Sequence, residues 1–136
     1  KIYAVDVGSG QLHAKLRADP SVVSLERTDA RTLTRAIIDE APSLIVCDVS
    51  FIGAAKALAT PLSFAAEHAD LIALIKPQFE AGPHKNAVLD EVTARAAAAQ
   101  TVAALDGLEG FAVVAVIDSP IRGGDGNLEL LLHARR

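Results

Sequence analysis

Tryptophan and methionine are absent from the 136 residues, cysteine occurs once, and aromatic side chains make up only 4%. With Cys47 alone, no internal disulfide can form, which excludes a scaffold held together by bridges. The shortage of aromatics leaves the core to aliphatic side chains. Apolar residues reach 51%, enough for one packed domain and too many for a disordered chain. No apolar run attains the roughly 20 residues that a bilayer-spanning helix requires. The opening Lys1-Ile2-Tyr3-Ala4-Val5-Asp6 also lacks the layout of a secretion signal, so the expected location is the cytoplasm. Positive charge is in short supply too, with 13 Lys plus Arg against 17 Asp plus Glu and a net charge of −4. A chain that gripped nucleic acid unaided would be basic, because it must neutralise phosphates. Any such role here needs a local basic patch or a separate basic domain.

What is present is alternation. Short apolar runs predict strands over 2–7, 22–25, 44–47, 71–75, 111–117 and 128–133. Between them, helical stretches are expected over 11–17, 33–40, 54–68, with Pro61 as a kink or restart, and 88–105, with Gly107 near the end. Strands spaced by helices imply an α/β domain spanning 1–136, with a mostly parallel sheet covered on both faces. The last two strands are joined only by a turn through Gly123-Gly124-Asp125-Gly126. A parallel crossover needs about a dozen residues or more, so this pair should be antiparallel.

Ligands of open α/β sheets bind beyond the carboxyl ends of the strands. Asp6, Asp29, Asp48 and Lys76 fall at or shortly after such ends, and Glu129 begins an antiparallel last strand, so all five should share one rim. Each has an ordinary alternative. Acids after strands often cap a turn, the better reading for Asp29 alone, lysines are mostly solvated, and Glu129 could be the solvent-facing member of an edge strand. The histidines His13, His68, His84 and His133 show no ligand spacing, so no metal site is expected. Cys47 lies in an apolar run and reads as core rather than nucleophile.

Five segments, in order along nearly the whole chain, carry a family resemblance. They are Ala4-Val5-Asp6-Val7-Gly8 with Gly10-Gln11-Leu12, Leu25-Glu26-Arg27-Thr28-Asp29-Ala30-Arg31, Asp48-Val49-Ser50-Phe51-Ile52, Lys76-Pro77-Gln78-Phe79-Glu80-Ala81-Gly82 and Gly126-Asn127-Leu128-Glu129. Together they resemble the hemolysin-named TlyA family of ribosomal-RNA methyltransferases, whose catalytic domain is similar to the FtsJ-type 2′-O-methyltransferases with their Lys-Asp-Lys-Glu tetrad. The resemblance implies a Rossmann-like methyltransferase sheet, S-adenosyl-L-methionine as cofactor and ribosomal RNA as substrate. It makes Asp48, Lys76 and Glu129 three of the four tetrad members. Asp6 would hold the cofactor ribose and Asp29 would approach the adenine amino group, with Val7, Thr28 and Asp48 lining the same cofactor site. The chemistry suits these types: a ribose hydroxyl is a weak nucleophile, a lysine amine can take its proton or orient its oxygen, and carboxylates favour a sulfonium.

The same resemblance identifies what lies outside this chain. The family has an N-terminal RNA-binding domain, then the first tetrad lysine, the central first strand and its glycine-rich cofactor loop, whereas Lys1 opens at the equivalent of the second strand. A sheet lacking its central strand leaves neighbouring backbone groups unpaired, so these 136 residues alone are expected to bind S-adenosylmethionine weakly. The segment from His84 to Val88 reads as shorter than the family's glycine-containing loop. Two other functions stay open at this point: a membrane-active hemolysin, as the family's name suggests, and a catalytically inactive module that only binds RNA.

Overall fold

The structure, a computed structural model, describes residues 1–82 and 88–136. Its larger sheet is built on β4 (Asp70–Ile75) and β6 (Leu130–Arg135). Both strands alternate. Leu71, Ala73 and Ile75 are sealed on one face with Leu132 and Ala134, the period-2 pattern of a sheet with one face in the core. They pair antiparallel from Asp70 opposite Arg135 to Ile75 opposite Leu130. β3 (Leu44–Cys47) adds in parallel beside β4, and β5 (Ala112–Asp118) adds antiparallel on the far side of β6, with an irregularity between Val113 and Ala115. The strand order is therefore β3-β4-β6-β5. The last strand is antiparallel to its predecessor, as expected, and it is also inserted between β4 and β5.

Two helices cover this sheet. α2 (Ala54–Ser63) buries Ala54, Ala57, Leu58 and Leu62, and α4 (Glu91–Leu105) buries Ala94, Ala97, Ala98, Thr101 and Leu105. Steps of three and four place each set on one stripe. Both stripes close on a core that includes Leu71, Ile75, Leu132 and the fully buried Phe111. Asp90 starts α4 by accepting the Thr93 N–H at 2.9 Å, and Gly107, with φ of 82°, terminates it in the left-handed conformation that needs no Cβ.

A second sheet holds only β1 (Ile2–Val5) and β2 (Val22–Leu25), paired in parallel, with the one-turn α1 (Ala14–Arg17) between them. Leu33, Ile38 and Phe64 form a small core of their own with Tyr3, Val5 and Leu25, which seats this sheet on the end of α2. Arg35 reinforces the seat: its guanidinium donates to the Ser63 and Phe64 carbonyls and lies 5.0 Å from the Phe64 ring centre. No ladder joins the two sheets among the described residues. On the larger sheet's free edge, Leu44 and Val46 of β3 are 57% and 68% exposed, and Ile2 of β1 is 56% exposed.

Several boundaries move. The first strand stops at Val5 because Asp6 turns back to accept the Gly8 N–H at 2.7 Å. The stretch 33–40 makes turns and no helix; the nearest regular element is a 3-10 turn over Ala30–Thr32 capped by Asp29. α2 accommodates Pro61 and ends at Ser63 rather than 68, where the Phe64 and Ala65 N–H groups bond three residues back to the Pro61 and Leu62 carbonyls and the last turn tightens. The last strand begins at Leu130, two residues late. A one-turn α3 (Pro77–Glu80) was not anticipated, although proline suits a first helical position. The expected short loop between His84 and Val88 falls largely outside the described residues.

Candidate active site

β3 ends at Cys47 and β4 at Ile75, side by side and parallel, so the residues that follow them emerge at the same edge. Asp48 follows β3, and Lys76 follows β4 as the residue preceding α3. Nζ of Lys76 stands 2.7 Å from Oδ1 of Asp48 and 3.2 Å from Oγ of Ser50. The lysine side chain is only 16% exposed and the carboxylate 63%, so the ammonium is held from one side while its partner faces solvent. Burial of the aliphatic stem restricts the amine to this corner.

Glu129 reaches the same edge from the opposite direction. Ile75 pairs with Leu130 as the last couple of β4 and β6, so Lys76 and Glu129 each lie one residue beyond it, at the same end of the two strands. Glu129 is buried, at 8% exposure. Its carboxylate makes no side-chain hydrogen bond or ion pair with the described residues, and a methyl group on Gly123 would lie 2.7 Å from its Oε1. The glycine-rich turn thus provides the room the carboxylate occupies. Gly123 donates to the Asn127 carbonyl and Gly126 to the Gly123 carbonyl, closing this turn as a hairpin, as expected from the sequence.

Around this trio lie groups that sequence reasoning passed over. Phe51 is 91% exposed with φ of 67°, a strained backbone for a bulky residue, and its ring meets Phe79 at 5.1 Å between centres. Glu80 accepts the Ala54 N–H at 2.7 Å, at the start of α2. Gln78 has a buried Oε1 without a partner among the described residues. Cys47 is buried beneath, its thiol pushed up to about 11 by desolvation first and by the nearby Asp48 and Glu80 carboxylates second. A thiol so disposed is inert, in keeping with a core role.

The smaller sheet carries the other predicted residues. Asp6 borders a cavity of about 210 Å³ together with Gln11, Ser24 and Glu26. Oδ1 of Asp6 accepts the Gly8 N–H at 2.7 Å and Oε1 of Glu26 accepts the Gly10 N–H at 2.8 Å, which leaves one oxygen of each carboxylate uncommitted among the described residues. Glu26 could have been found by the strand-end rule, since it follows Leu25 directly. Val7 is 72% exposed, and Thr28 is tied to the turn, its N–H to the Asp6 carbonyl and its hydroxyl to the Glu26 carbonyl. Asp29 is occupied by its neighbour: the Arg31 guanidinium lies 2.6 Å away and holds the carboxyl at about 2, well below the ordinary carboxylate range. Asp48, Lys76 and Glu129 therefore gather at one edge, and Asp6, Val7, Thr28 and Asp29 at the end of the other sheet, with no hydrogen bond or ion pair joining the two sets among the described residues.

A model of the FtsJ-like methyltransferase family matches residues 1–136. The chain belongs to the FtsJ-like methyltransferases. Among curated relatives, the 16S/23S rRNA (cytidine-2'-O)-methyltransferase TlyA of Mycobacterium tuberculosis is 41% identical over 137 residues, covering 98% of this chain and 51% of that protein. Hemolysin A of Brachyspira hyodysenteriae is 39% identical over 145 residues, covering 98% and 57%. Among solved structures, a hemolysin-named protein from Lactococcus lactis superimposes with a TM-score of 0.89 at 36% identity, covering 98% of this chain and 65% of that one. This FtsJ-like chain thus spans about half the length of the curated relatives it matches. No helix among its described residues is long and apolar enough to cross a membrane.

Proposed function

We propose that this FtsJ-like domain transfers a methyl group from S-adenosylmethionine to a ribose 2′-hydroxyl of ribosomal RNA, with Asp48, Lys76 and Glu129 as the residues around the reacting oxygen. The observation that carries the reading is the Lys76–Asp48 pair at 2.7 Å beside a buried carboxylate left open by Gly123. An ammonium has three N–H donors. Asp48 and Ser50 take two, which leaves one for an incoming hydroxyl oxygen. Glu129, at the same end of β6, accepts the hydroxyl's hydrogen bond and takes its proton as the oxygen is methylated, while Lys76 stays an ammonium that orients the oxygen. Holding the oxygen in line supplies much of the acceleration.

The donor set at the smaller sheet fits an adenosyl cofactor. Asp6 and Glu26 each offer a free carboxylate oxygen at a cavity, the chemistry that receives ribose hydroxyls. When bound, the cofactor supplies the methyl group on a sulfonium. Asp29 would reach an adenine amino group only by sharing oxygens now held by Arg31, with Val7 and Thr28 flanking it. Phe51, exposed on the rim, offers a face on which a nucleobase stacks, an interaction indifferent to base identity.

We further propose that an additional strand pairs with the free edges of β1 and β3. Leu44 and Val46 of β3 and Ile2 of β1 are exposed, and each of these strands has one edge without a ladder partner among the described residues. Such a strand would join the two half-sites. Accordingly, calorimetric titration of the 136 residues with S-adenosylmethionine should yield weak binding, and micromolar binding would refute the split-site reading. Methyl transfer is tested with tritium-labelled cofactor, ribosomal subunits and the complete gene product. Label should enter RNA and resist alkaline hydrolysis as a ribose methyl does; absence of label from RNA would remove the enzymatic reading.

A further inference from the structure

Asp48 and Ser50 act on Lys76 only if the loop carrying them, residues 48–53, stays seated on the segment 76–80. Nothing in the two parallel strands fixes that distance beyond Cys47 and Ile75. Three contacts run down the seam in matching order: Asp48 and Ser50 to Lys76, Phe51 to Phe79, and the Ala54 N–H to Glu80. The last closes the seam at its far end. Glu80 is the final residue of the single-turn α3 that begins directly after Lys76, so its position and that of the amine are rigidly linked. Its acceptor role falls on the first helical residue of α2, whose preceding residue, Gly53, has no side chain to serve as a cap. The Gly53 site is shaped to the carboxylate: a methyl there would stand 2.5 Å from Oε2 of Glu80.

We propose that Glu80, seated against Gly53, is a positioning residue for methyl transfer, which fixes the Asp48–Ser50 loop against Lys76. This rests on the methyl-transfer reading above. A misplacement of reacting groups by about 1 Å can cost roughly a hundredfold in rate, so a latch on the loop acts on turnover rather than on RNA affinity. Geometry, not charge, is what Glu80 contributes: a glutamine oxygen can accept the same N–H, whereas Ala cannot.

The test uses Glu80→Ala, Glu80→Gln, Gly53→Ala and the Glu80→Ala/Gly53→Ala double variant in the complete gene product, well below their melting temperatures. Two readouts are taken. In methyl transfer, Glu80→Ala and Gly53→Ala should each lower kcat by about tenfold or more with KM for RNA within about twofold. Glu80→Gln should restore most of the rate, and the double variant should be no worse than Glu80→Ala, since both changes break one contact. In alkylation of Cys47, followed by peptide mass, the Ala variants should react several times faster as the loop lifts, and Glu80→Gln should not. A helix cap without a positioning role would lower melting temperature and leave kcat intact, and that result overturns the proposal; so does Glu80→Gln as slow as Glu80→Ala, or Cys47 alkylation unchanged in both Ala variants. Wild-type protein that transfers no label would instead sink the enzymatic reading, and the alkylation arm would still decide whether Glu80 latches the loop.

Discussion

Lys76 and Glu129 each stand one residue past the last paired couple of β4 and β6, Ile75 with Leu130, although they are far apart in the chain. The antiparallel insertion of β6 beside β4 does this: it returns a carboxylate to the edge where a parallel neighbour, β3, has already delivered Asp48.

Gly123 should tolerate no side chain for a reason that concerns Glu129 alone. Its backbone lies outside the left-handed region, so Ala is conformationally acceptable there, but the added methyl meets Oε1 at 2.7 Å. Gly123→Ala is expected to cut methyl transfer by about tenfold or more while moving the melting temperature little, and Glu129→Gln should cut it further. Equal activity of Gly123→Ala and wild type would mean that the carboxylate is not held where the turn places it.

Phe51 should matter for RNA and not for stability. Its side chain is almost wholly exposed, so truncation forfeits little packing beyond the ring contact with Phe79, and stacking on a base is worth about 1–3 kcal/mol. Phe51→Ala should therefore raise KM for ribosomal RNA by roughly tenfold, with an unchanged melting temperature; the left-handed backbone at this position makes Phe51→Gly the informative companion, which should be as weak a binder and at least as stable. Unaltered RNA binding in both would remove Phe51 from the interface.

Acid should weaken the fold in a defined window. Asp29 is held at about 2 by the Arg31 guanidinium, Asp39 at about 2 by Lys1 and by the Tyr3 hydroxyl, and Asp70 below its ordinary value by His133 and then Arg135. All three are lowered relative to an unfolded carboxyl of about 3.9. The unfolded chain therefore binds more protons between these values, and stability contributed by the pairs is present above about pH 4 and lost as pH falls towards 2. Melting temperatures measured from pH 7 to 2.5 should be flat at first and then decline. Replacing the three aspartates with asparagine should lower the plateau slightly and flatten the decline; an equally steep decline in that variant would assign acid lability elsewhere.

Much of this was legible because it depends on period and spacing. The alternation in β4 and β6 and the stripe in α4 are written in the order of apolar residues, and the short turn at 123–126 is enough to require an antiparallel last pair. Strand-end position then singled out Asp48, Lys76 and Glu129. The same rule failed to weigh Glu26, and apolar spacing overrated the stretch 33–40, where Arg35 is drawn away to the Ser63 and Phe64 carbonyls and the backbone turns instead of coiling. Strand order within the sheet was not readable, since sequence gives the direction of a strand but not its neighbour. Contacts that cross between loops, such as Glu80 with Ala54 or the Glu129 carboxylate against Gly123, have no local pattern at all. They exist only once two distant segments have been packed together.

The most direct test of the site is a map of ribose methylation in ribosomal RNA from cells lacking the gene and complemented either with wild type or with Lys76→Ala. Mass spectrometry of nuclease digests should show 2′-O-methyl nucleosides restored by wild type and absent, or reduced at least about a hundredfold, with Lys76→Ala despite equal expression. Restoration by both proteins would contradict the assignment of Lys76 and, with it, the catalytic role given to the edge shared by Asp48 and Glu129.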